Sequence, residues 1–292
     1  MLGLGASHLG LLTPSGYEKA ALKHRVTAIK SLNNHLSRPN LSKQDAEAAF
    51  GAMLVLTFQS AYMAEGLGDF LTMIRGCWLV GTHVGDLEHS IFKTLARASY
   101  IEKVQELAQG NPADYRLNTL ITEDFCNSIR RIAPLCRTVP ELGYLAHMER
   151  IATFASTDIC ESYRELSFLF DQLGNLASAD FASFVDSQNH VSQLVIMHML
   201  VLDFVMSRKV VEEGDKVRRG QAGYDCKKAM SKVWIERMLK QLPPEYQSYA
   251  EWPVRFSRGI KHSFNEGSQD WEPFFLSNVK ATMRNTNTLS FI

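Results

Sequence analysis

The densest group of metal-ligand residue types in the sequence is HVGDLEH, which contains His83, Asp86, Glu88 and His89. Zinc accepts both imidazole nitrogens and carboxylate oxygens as ligands. The two histidines are six positions apart, which separates them by ~120° around a helix axis, so one helix cannot present both to one ion. The glycine between them indicates a turn, where the carboxylates would cap a helix. We therefore expect no metal site.

A glycine pattern near the start, GLGAS at Gly3–Ser7, imitates part of a dinucleotide-binding fingerprint. His8 stands where the third glycine is needed, and no strand is predicted before the pattern. The sequence also contains no P-loop, no GxSxG elbow, no HExxH pair and no aspartate-rich DDxxD cluster. We expect neither enzymatic activity nor a bound cofactor.

The least polar segment is LVIMHMLVLDFVM, Leu194–Met206, in which only His198 and Asp203 are polar. It is too short for a membrane span, which needs ~20 apolar residues. His198 and Asp203 lie ~140° apart around a helix and so do not form a pair on one face. The segment is either a buried core helix whose polar residues form local hydrogen bonds, or the wall of a pocket for an apolar ligand.

Methionines and aromatic residues are concentrated in this segment and in one earlier stretch. The earlier group comprises Met53, Phe58, Tyr62, Met63, Phe70, Met73 and Trp78, and the later group comprises Met197, Met199, Phe204 and Met206. Methionine repacks easily, which suits a pocket for an apolar ligand, but it also fills irregular cores. Composition alone favours the core.

The bulk composition argues against several functions. Lysine plus arginine and aspartate plus glutamate both number 31, so the net charge is zero and no basic surface for nucleic acid is indicated. The five cysteines stand singly without a CxxC pair, which favours reduced thiols in an intracellular compartment over disulfides or structural zinc. The apolar N-terminus lacks the charged region and cleavage site of a signal peptide.

Helices must position these residues, because apolar residues recur at three- and four-residue steps along most of the chain. In Tyr17–Leu36 the predicted inward face is Leu22, Val26, Ile29, Leu32 and Leu36, and the hydroxyls of TPS at 13–15 are predicted caps. Ser42 is the predicted N-cap of the next helix, whose inward face is Ala49, Met53, Leu56 and Ser60. Asp69 is predicted to cap the helix after that.

The same spacing predicts helices over 86–109, from Asn111 and Pro112 to Pro134, and over 138–154, 157–173, 187–211 and 225–242. The predicted stripe before Pro134 is Leu117, Ile121, Phe125, Ile129 and Ile132. Gly174 is a predicted left-handed C-cap, and the charged segment 210–225 is a predicted loop. No alternating run predicts a strand. We expect an all-α protein, an irregular helical bundle or α-solenoid-like array of roughly nine to eleven helices.

Four stretches taken in order carry a family resemblance. They are LGASHLGLL, the long run from ALKHRV to RGCWLV, LVIMHMLVLDFVMS and LPPEYQSYAEWP. The blocks FQSAYMAEGLGDFLTMIRGC and LPPEYQSYAEWP are the most specific. Over roughly residues 2 to 255 the chain resembles the C-terminal regulatory domain of fungal Zn(II)2Cys6 transcription factors of the sterol-uptake-control type.

The resemblance implies one regulatory domain over 1–255, shortened at its N-terminus relative to the family, and an unassigned tail over 256–292. It also implies an apolar pocket in the C-terminal half. In the sterol-sensing members that pocket holds ergosterol, which keeps the factor inactive in the cytosol until sterol is lost. Met197, His198, Met199 and Phe204 are then the expected ligand contacts.

The family's six-cysteine zinc cluster, basic linker and coiled coil are missing from the chain. The resemblance therefore implies a transcription-regulator-like protein of the nucleus or cytoplasm that controls a lipid, sterol or secondary-metabolite pathway without contacting nucleic acid itself. The expected partners are a sterol or other lipid and the transcription machinery or a dimerisation partner, with no membrane span. The alternative is a protein-interaction scaffold with a filled core and no ligand.

Overall fold

A computed structural model of the protein describes residues 1–12, 16–63, 65–84, 90–92, 101–102, 105–106, 119–214 and 231–259. Within these ranges the chain forms eleven helices of eight residues or more and no strand, which confirms the predicted all-α fold. The chain divides into two compact units. Unit 1 comprises Met1–Ser99 and Phe170–Ala177, and unit 2 comprises Tyr100–Leu169 and Ser178–Ile292. The range predicted as one domain, 1–255, contributes to both units.

Unit 1 contains α1 (Leu2–Leu12), α2 (Tyr17–Leu36), α3 (Lys43–Ser60), α4 (Leu67–Val84) and the short helix Asp171–Asn175. α3 packs on α4, and α1 packs on α2. The centre of the core is formed by Phe50, Met53 and Leu56 of α3 with Leu32 of α2 and Val80 of α4. The GLGAS pattern lies inside α1, which rules out a phosphate-binding loop at that position.

The start and the inward face of α3 confirm the prediction. The Ser42 hydroxyl accepts a hydrogen bond from the Asp45 backbone N–H at 3.1 Å, and the Asp45 carboxylate accepts one from the Ser42 backbone N–H at 3.1 Å. This reciprocal pair is a capping box, which satisfies two N–H groups that the first turn leaves open. The predicted inward residues Ala49, Met53, Leu56 and Ser60 are all buried.

The predicted inward face of α2 is wrong in its first half. Leu22 and Val26 are 54% and 43% exposed, whereas Ala21 and Arg25 are buried. The reason is a set of hydrogen bonds from Arg25 to α3 and α4, which turns the Arg25 side of the helix inward. The N-cap of α2 is Gly16, at φ 64°, and this residue makes no side-chain cap hydrogen bond. Residues 13–15 lie outside the described ranges.

Unit 2 contains α5 (Thr119–Ile132), α6 (Val139–Thr157), α7 (Ile159–Leu166), α8 (Ser178–Val185), α9 (His190–Gly214), α10 (231–241) and α11 (Glu251–Gly259). The short helix Pro244–Gln247 and the 3-10 turn Ser248–Ala250 precede α11. In α5 the described members of the predicted stripe, Phe125, Ile129 and Ile132, are buried. α9 includes residues 210–214, which were predicted to be loop, and α11 continues past residue 255.

Several predictions fall outside the described residues, namely most of the helix over 86–109, the helix start at Asn111 and Pro112, the loop over 215–225 and the tail from 260.

The single helix predicted over 157–173 is in fact two helices. Thr157 ends α6, and Asp158 has an extended backbone and caps α7 by accepting a hydrogen bond from the Glu161 backbone N–H at 3.1 Å. The second helix is Asp171–Asn175, and Gly174 lies inside it without the positive φ predicted for a left-handed cap. Gly174 instead allows the Trp78 ring to pack directly against the helix backbone, because a Cβ atom at this position would lie 2.2 Å from Cδ2 of Trp78.

Candidate functional site

The predicted ligand-binding segment is the central helix of unit 2. Helices α5, α6, α7, α8 and α11 all contact α9. Every residue from Leu194 to Met206 is at most 9% exposed, including His198 at 0% and Asp203 at 9%. A helix that is apolar on all sides is stable only when it is surrounded, and α9 meets that condition over this segment.

His198 is hydrogen-bonded through both ring nitrogens. Nδ1 lies 2.8 Å from the Leu194 carbonyl oxygen, and Nε2 lies 2.8 Å from the Ser128 hydroxyl. A carbonyl oxygen can only accept, so Nδ1 carries the proton and Nε2 accepts from Ser128. Burial lowers the pKa of His198 to about 4, although the hydrogen bond to Leu194 acts in the opposite direction. The imidazole is therefore neutral at pH 7.

Aromatic rings surround this histidine. The Trp252 ring stacks on it, with centroids 6.2 Å apart and planes 12° apart, and Phe125 lies 6.0 Å away. Phe125 and Phe256 in turn contact Trp252, at 5.1 and 5.7 Å. Trp252 belongs to the sequence block LPPEYQSYAEWP and His198 to LVIMHMLVLDFVMS. Two of the four stretches that carry the family resemblance thus pack against each other.

The other predicted contacts are fully buried but do not share one face. Met197 and Met199 are 0% exposed and Phe204 is 1% exposed. At 100° per residue, Met197 and Phe204 lie ~20° apart around α9, whereas Met199 lies ~160° from Met197. The structure therefore places Met197 and Phe204 together and Met199 on the opposite side of the helix.

Glu141, which sequence reasoning did not single out, links the starts of α6 and α9. Its side chain accepts hydrogen bonds from the backbone N–H groups of Arg137 and Thr138 at 2.9 and 3.0 Å, the Asn189 amide at 3.1 Å and the Ser192 hydroxyl at 3.0 Å. The Asn189 side-chain oxygen accepts from the Ser192 backbone N–H at 3.1 Å, as an N-cap of α9 would. Burial raises the pKa of Glu141, but these hydrogen bonds outweigh it and hold the pKa below its ordinary value.

Of the four residues considered as metal ligands, the structure describes one, His83. His83 lies at the end of α4, and Asp86, Glu88 and His89 lie outside the described residues. Among the described residues no group of three histidines, cysteines or carboxylates is placed to hold a metal ion. Cys77, Cys126, Cys136 and Cys160 are free thiols, and burial raises the pKa of Cys77 and of Cys136 to about 11.

Sequence reasoning also missed a concave site in unit 1. A pocket of about 280 Å³ lies between α1, α2 and the end of α3, and its lining includes Ser7, Gly10, Arg25, Gln59 and Met63. The signal for this site is the placement of Arg25 four residues after Ala21 and seven before Leu32, on the same face of α2.

Arg25 is 2% exposed and donates to the Leu56 carbonyl at 2.9 Å, the Ser60 hydroxyl at 2.8 Å and the Asp69 carboxylate at 3.0 Å. Asp69, predicted as a helix cap, instead occupies the first turn of α4 and pairs with this arginine.

In the described ranges no single helix is long and apolar enough to cross a membrane. One pair, Ser178–Val185 with His190–Met206, reaches the required length and composition only as two pieces bent by 81°.

Comparisons with protein-family models, with curated proteins and with solved structures found no match for this chain. The class that the fold itself defines is an all-α helical array.

Proposed function

We propose that this chain is a regulatory helical domain of the transcription-regulator type, which acts through protein contacts rather than by catalysis. The resemblance of its sequence blocks to the fungal regulatory domains supports the proposal. The contact between Trp252 and His198 adds to that support, because it joins two of those blocks in one core. The function lies outside DNA contact, since the net charge of zero favours no nucleic-acid surface.

The burial of α9 supports one form of this proposal, a protein-interaction scaffold with a filled core. The segment Leu194–Met206 is buried along its whole length, and both nitrogens of its histidine bond to protein atoms. A central helix held in this way acts as a rigid spine that fixes the surrounding helices. The function is then to present those outer helices to a partner.

A tethering assay tests the regulator proposal. The chain is fused to an unrelated DNA-binding domain in a fungal host, and output is measured from a reporter that carries the matching site. We expect output to differ from that of the DNA-binding domain alone. The change should disappear in Leu200→Asp, because a carboxylate placed at this 2% exposed position disrupts unit 2. Unchanged output from a well-expressed, folded fusion would contradict the proposal.

The second candidate is an apolar ligand beside α9, and the shared face of Met197 and Phe204 favours it. Methionine repacks at low cost and can admit a guest molecule. Ergosterol should then raise the melting temperature with increasing concentration. The rise should be smaller in Met197→Ala, which removes half of the shared face. A melting temperature that no sterol changes would reject this candidate and leave the scaffold form standing.

A further inference from the structure

We infer that the pocket of unit 1 binds a small amphipathic carboxylate of medium chain length. The carboxylate head lies at Arg25, and the chain lies along Ala21, Leu22 and Met63. This inference goes beyond the proposed function, because it concerns a different unit and a ligand smaller than a sterol. It rests on the charge, the space and the polarity of the pocket.

Arg25 is a cation in the pocket wall with a residue exposure of only 2%. The side chain of its counter-ion Asp69 is 54% exposed, so water weakens the electrostatic interaction between the two charges. The guanidinium has five N–H donors, and its three described hydrogen bonds use one N–H of Nη1 and both N–H groups of Nη2. The donors that these bonds leave are Nε–H and one N–H of Nη1, and a charged donor of this kind makes strong single hydrogen bonds to a carboxylate oxygen, which favours a carboxylate head group.

The space in the pocket comes from small residues on α1. Gly10 lines the pocket, and a Cβ atom built on it would meet no atom within 4 Å. The volume of about 280 Å³ lies just below the range of roughly 300–1,000 Å³ that drug-sized ligands occupy. A medium-chain molecule suits this volume better than a sterol does.

The polar side chains orient the ligand. Gln59 is 2% exposed and is fixed by donating to the Ser7 hydroxyl and the Ala21 carbonyl, both at 3.2 Å. Glu18 also lines the pocket, seven residues before Arg25 and so ~10 Å away along α2. Its negative charge repels an anionic head at that end and directs the head toward Arg25.

Titration calorimetry of the full chain with decanoate, below its micelle concentration, tests the inference, with decanol and decylamine as matched probes. We expect decanoate to bind at least about tenfold more tightly than decanol, since a hydrogen bond to a charged group is worth more than one to a neutral group. Decylamine should bind more weakly still. Equal affinity for decanol would overturn the assigned head group, and no binding of decanoate would overturn the inference as a whole.

Two glycine variants locate the binding. Gly10→Leu should fill the pocket and lower decanoate affinity at least about tenfold, the loss expected when a bulky side chain occupies the site. Gly5→Leu is the matched control, because Gly5 is an exposed residue of the same helix with no atom near its added Cβ.

Arg25→Gln should have the same effect as Gly10→Leu, provided that circular dichroism shows the variant to be folded. Decanoate binding that survives Gly10→Leu unchanged would place the ligand elsewhere and overturn the site. The reporter assay on the tethered chain does not depend on this pocket, so the two proposals can fail separately.

Discussion

His198 shows how a polar residue is accommodated inside an apolar helix. Its Nδ1–H bonds within its own helix, and its Nε2 accepts from Ser128 on α5, at 7% exposure. An unpaired nitrogen in this setting would cost free energy, and the two bonds avoid that cost. The hydroxyl of Ser128 is thus a structural partner of the histidine rather than a nucleophile awaiting substrate.

Removing this hydroxyl should destabilise unit 2. Ser128→Ala leaves the buried Nε2 without its donor, and we expect a loss of about 1–3 kcal/mol in the free energy of unfolding. Chemical denaturation at pH 7 measures the loss. Ser156 makes an exposed hydroxyl bond to Thr153, and Ser156→Ala should change the free energy of unfolding by only about a few tenths of a kcal/mol. Equal effects of the two variants would contradict the structural role of Ser128.

The lowered pKa of His198 predicts a pH dependence of stability. The folded state has a pKa of about 4 and the ordinary value is 6.5, so the unfolded chain takes up the proton first as pH falls. Stability should therefore decrease between pH 6.5 and 4, by on the order of 3 kcal/mol from this residue. His147, whose pKa burial also lowers, adds to the effect with the same sign. In His198→Gln the free energy of unfolding should fall less steeply with decreasing pH than in the wild type, while the contribution of His147 remains. Equal pH dependence of stability in wild type and variant would contradict the role given to His198.

At the scale of the elements, Glu141 matters because one carboxylate serves two helix starts. It completes the capping box of α6 with Thr138 and holds Asn189 and Ser192 at the start of α9. Negative charge near a helix N-terminus also interacts favourably with the helix dipole. The entry angle of the central helix is thereby tied to the first turn of α6.

Glu141→Gln keeps the shape but removes the charge and one acceptor. We expect a loss of about 2 kcal/mol at pH 7, the typical worth of hydrogen bonds to a charged group. Because the folded pKa of Glu141 is lowered, its contribution is present above the ordinary value of 4.5 and is lost as pH falls below it. In denaturation experiments, the difference in the free energy of unfolding between wild type and variant should become smaller below that pH. Glu123→Gln, at an exposed position of α5, serves as the control and should show no comparable loss.

Gly174 tests the packing of the short helix Asp171–Asn175 on α4. Gly174→Ala places a Cβ atom 2.2 Å from the Trp78 ring, so the ring or the helix must shift, at a cost of roughly 1–3 kcal/mol. Gly68→Ala is the matched control in α4, since Gly68 is exposed and an added Cβ there meets no atom within 4 Å. Thermal unfolding should show a clear loss for the first variant and none for the second, and equal losses would contradict the observed contact.

The start of α3 was predictable from the sequence, because its capping partner is local. Ser42 identified the start of α3 correctly, and its partner Asp45 is only three residues away. The buried face of α2 was not predictable, because the Arg25 partners Ser60 and Asp69 lie 35 and 44 residues away. One interpretation of α9 predicted local hydrogen bonds for its polar residues, and His198 makes one such bond, to Leu194. Its second partner, Ser128, is 70 residues distant and leaves no periodic signal. The left-handed cap predicted at Gly174 was wrong for the same reason, since its close neighbour Trp78 is far away in sequence.

At the scale of the whole molecule, the chain enters unit 1 twice. Residues 170–177 belong to unit 1, although their neighbours on both sides in the sequence belong to unit 2. Arg75 Nη2 donates to the Leu176 carbonyl at 3.0 Å, and the Phe70 ring meets Phe170 at 6.2 Å. The returning segment is therefore fixed by polar and aromatic contacts to α4 and is part of the core of unit 1.

This division predicts that damage to one unit remains in that unit. Segments that share a core open together, so a variant should raise amide hydrogen exchange mainly within its own cooperative unit. Gly174→Ala should increase deuterium uptake in α4 and in 170–177, and Ser128→Ala should increase it in α5 and α9. Mass spectrometry of peptides from each unit measures both changes in one experiment. An increase spread evenly over both units for either variant would mean that the chain opens as one cooperative body, and the cores around Phe50 and around α9 would then not be independent.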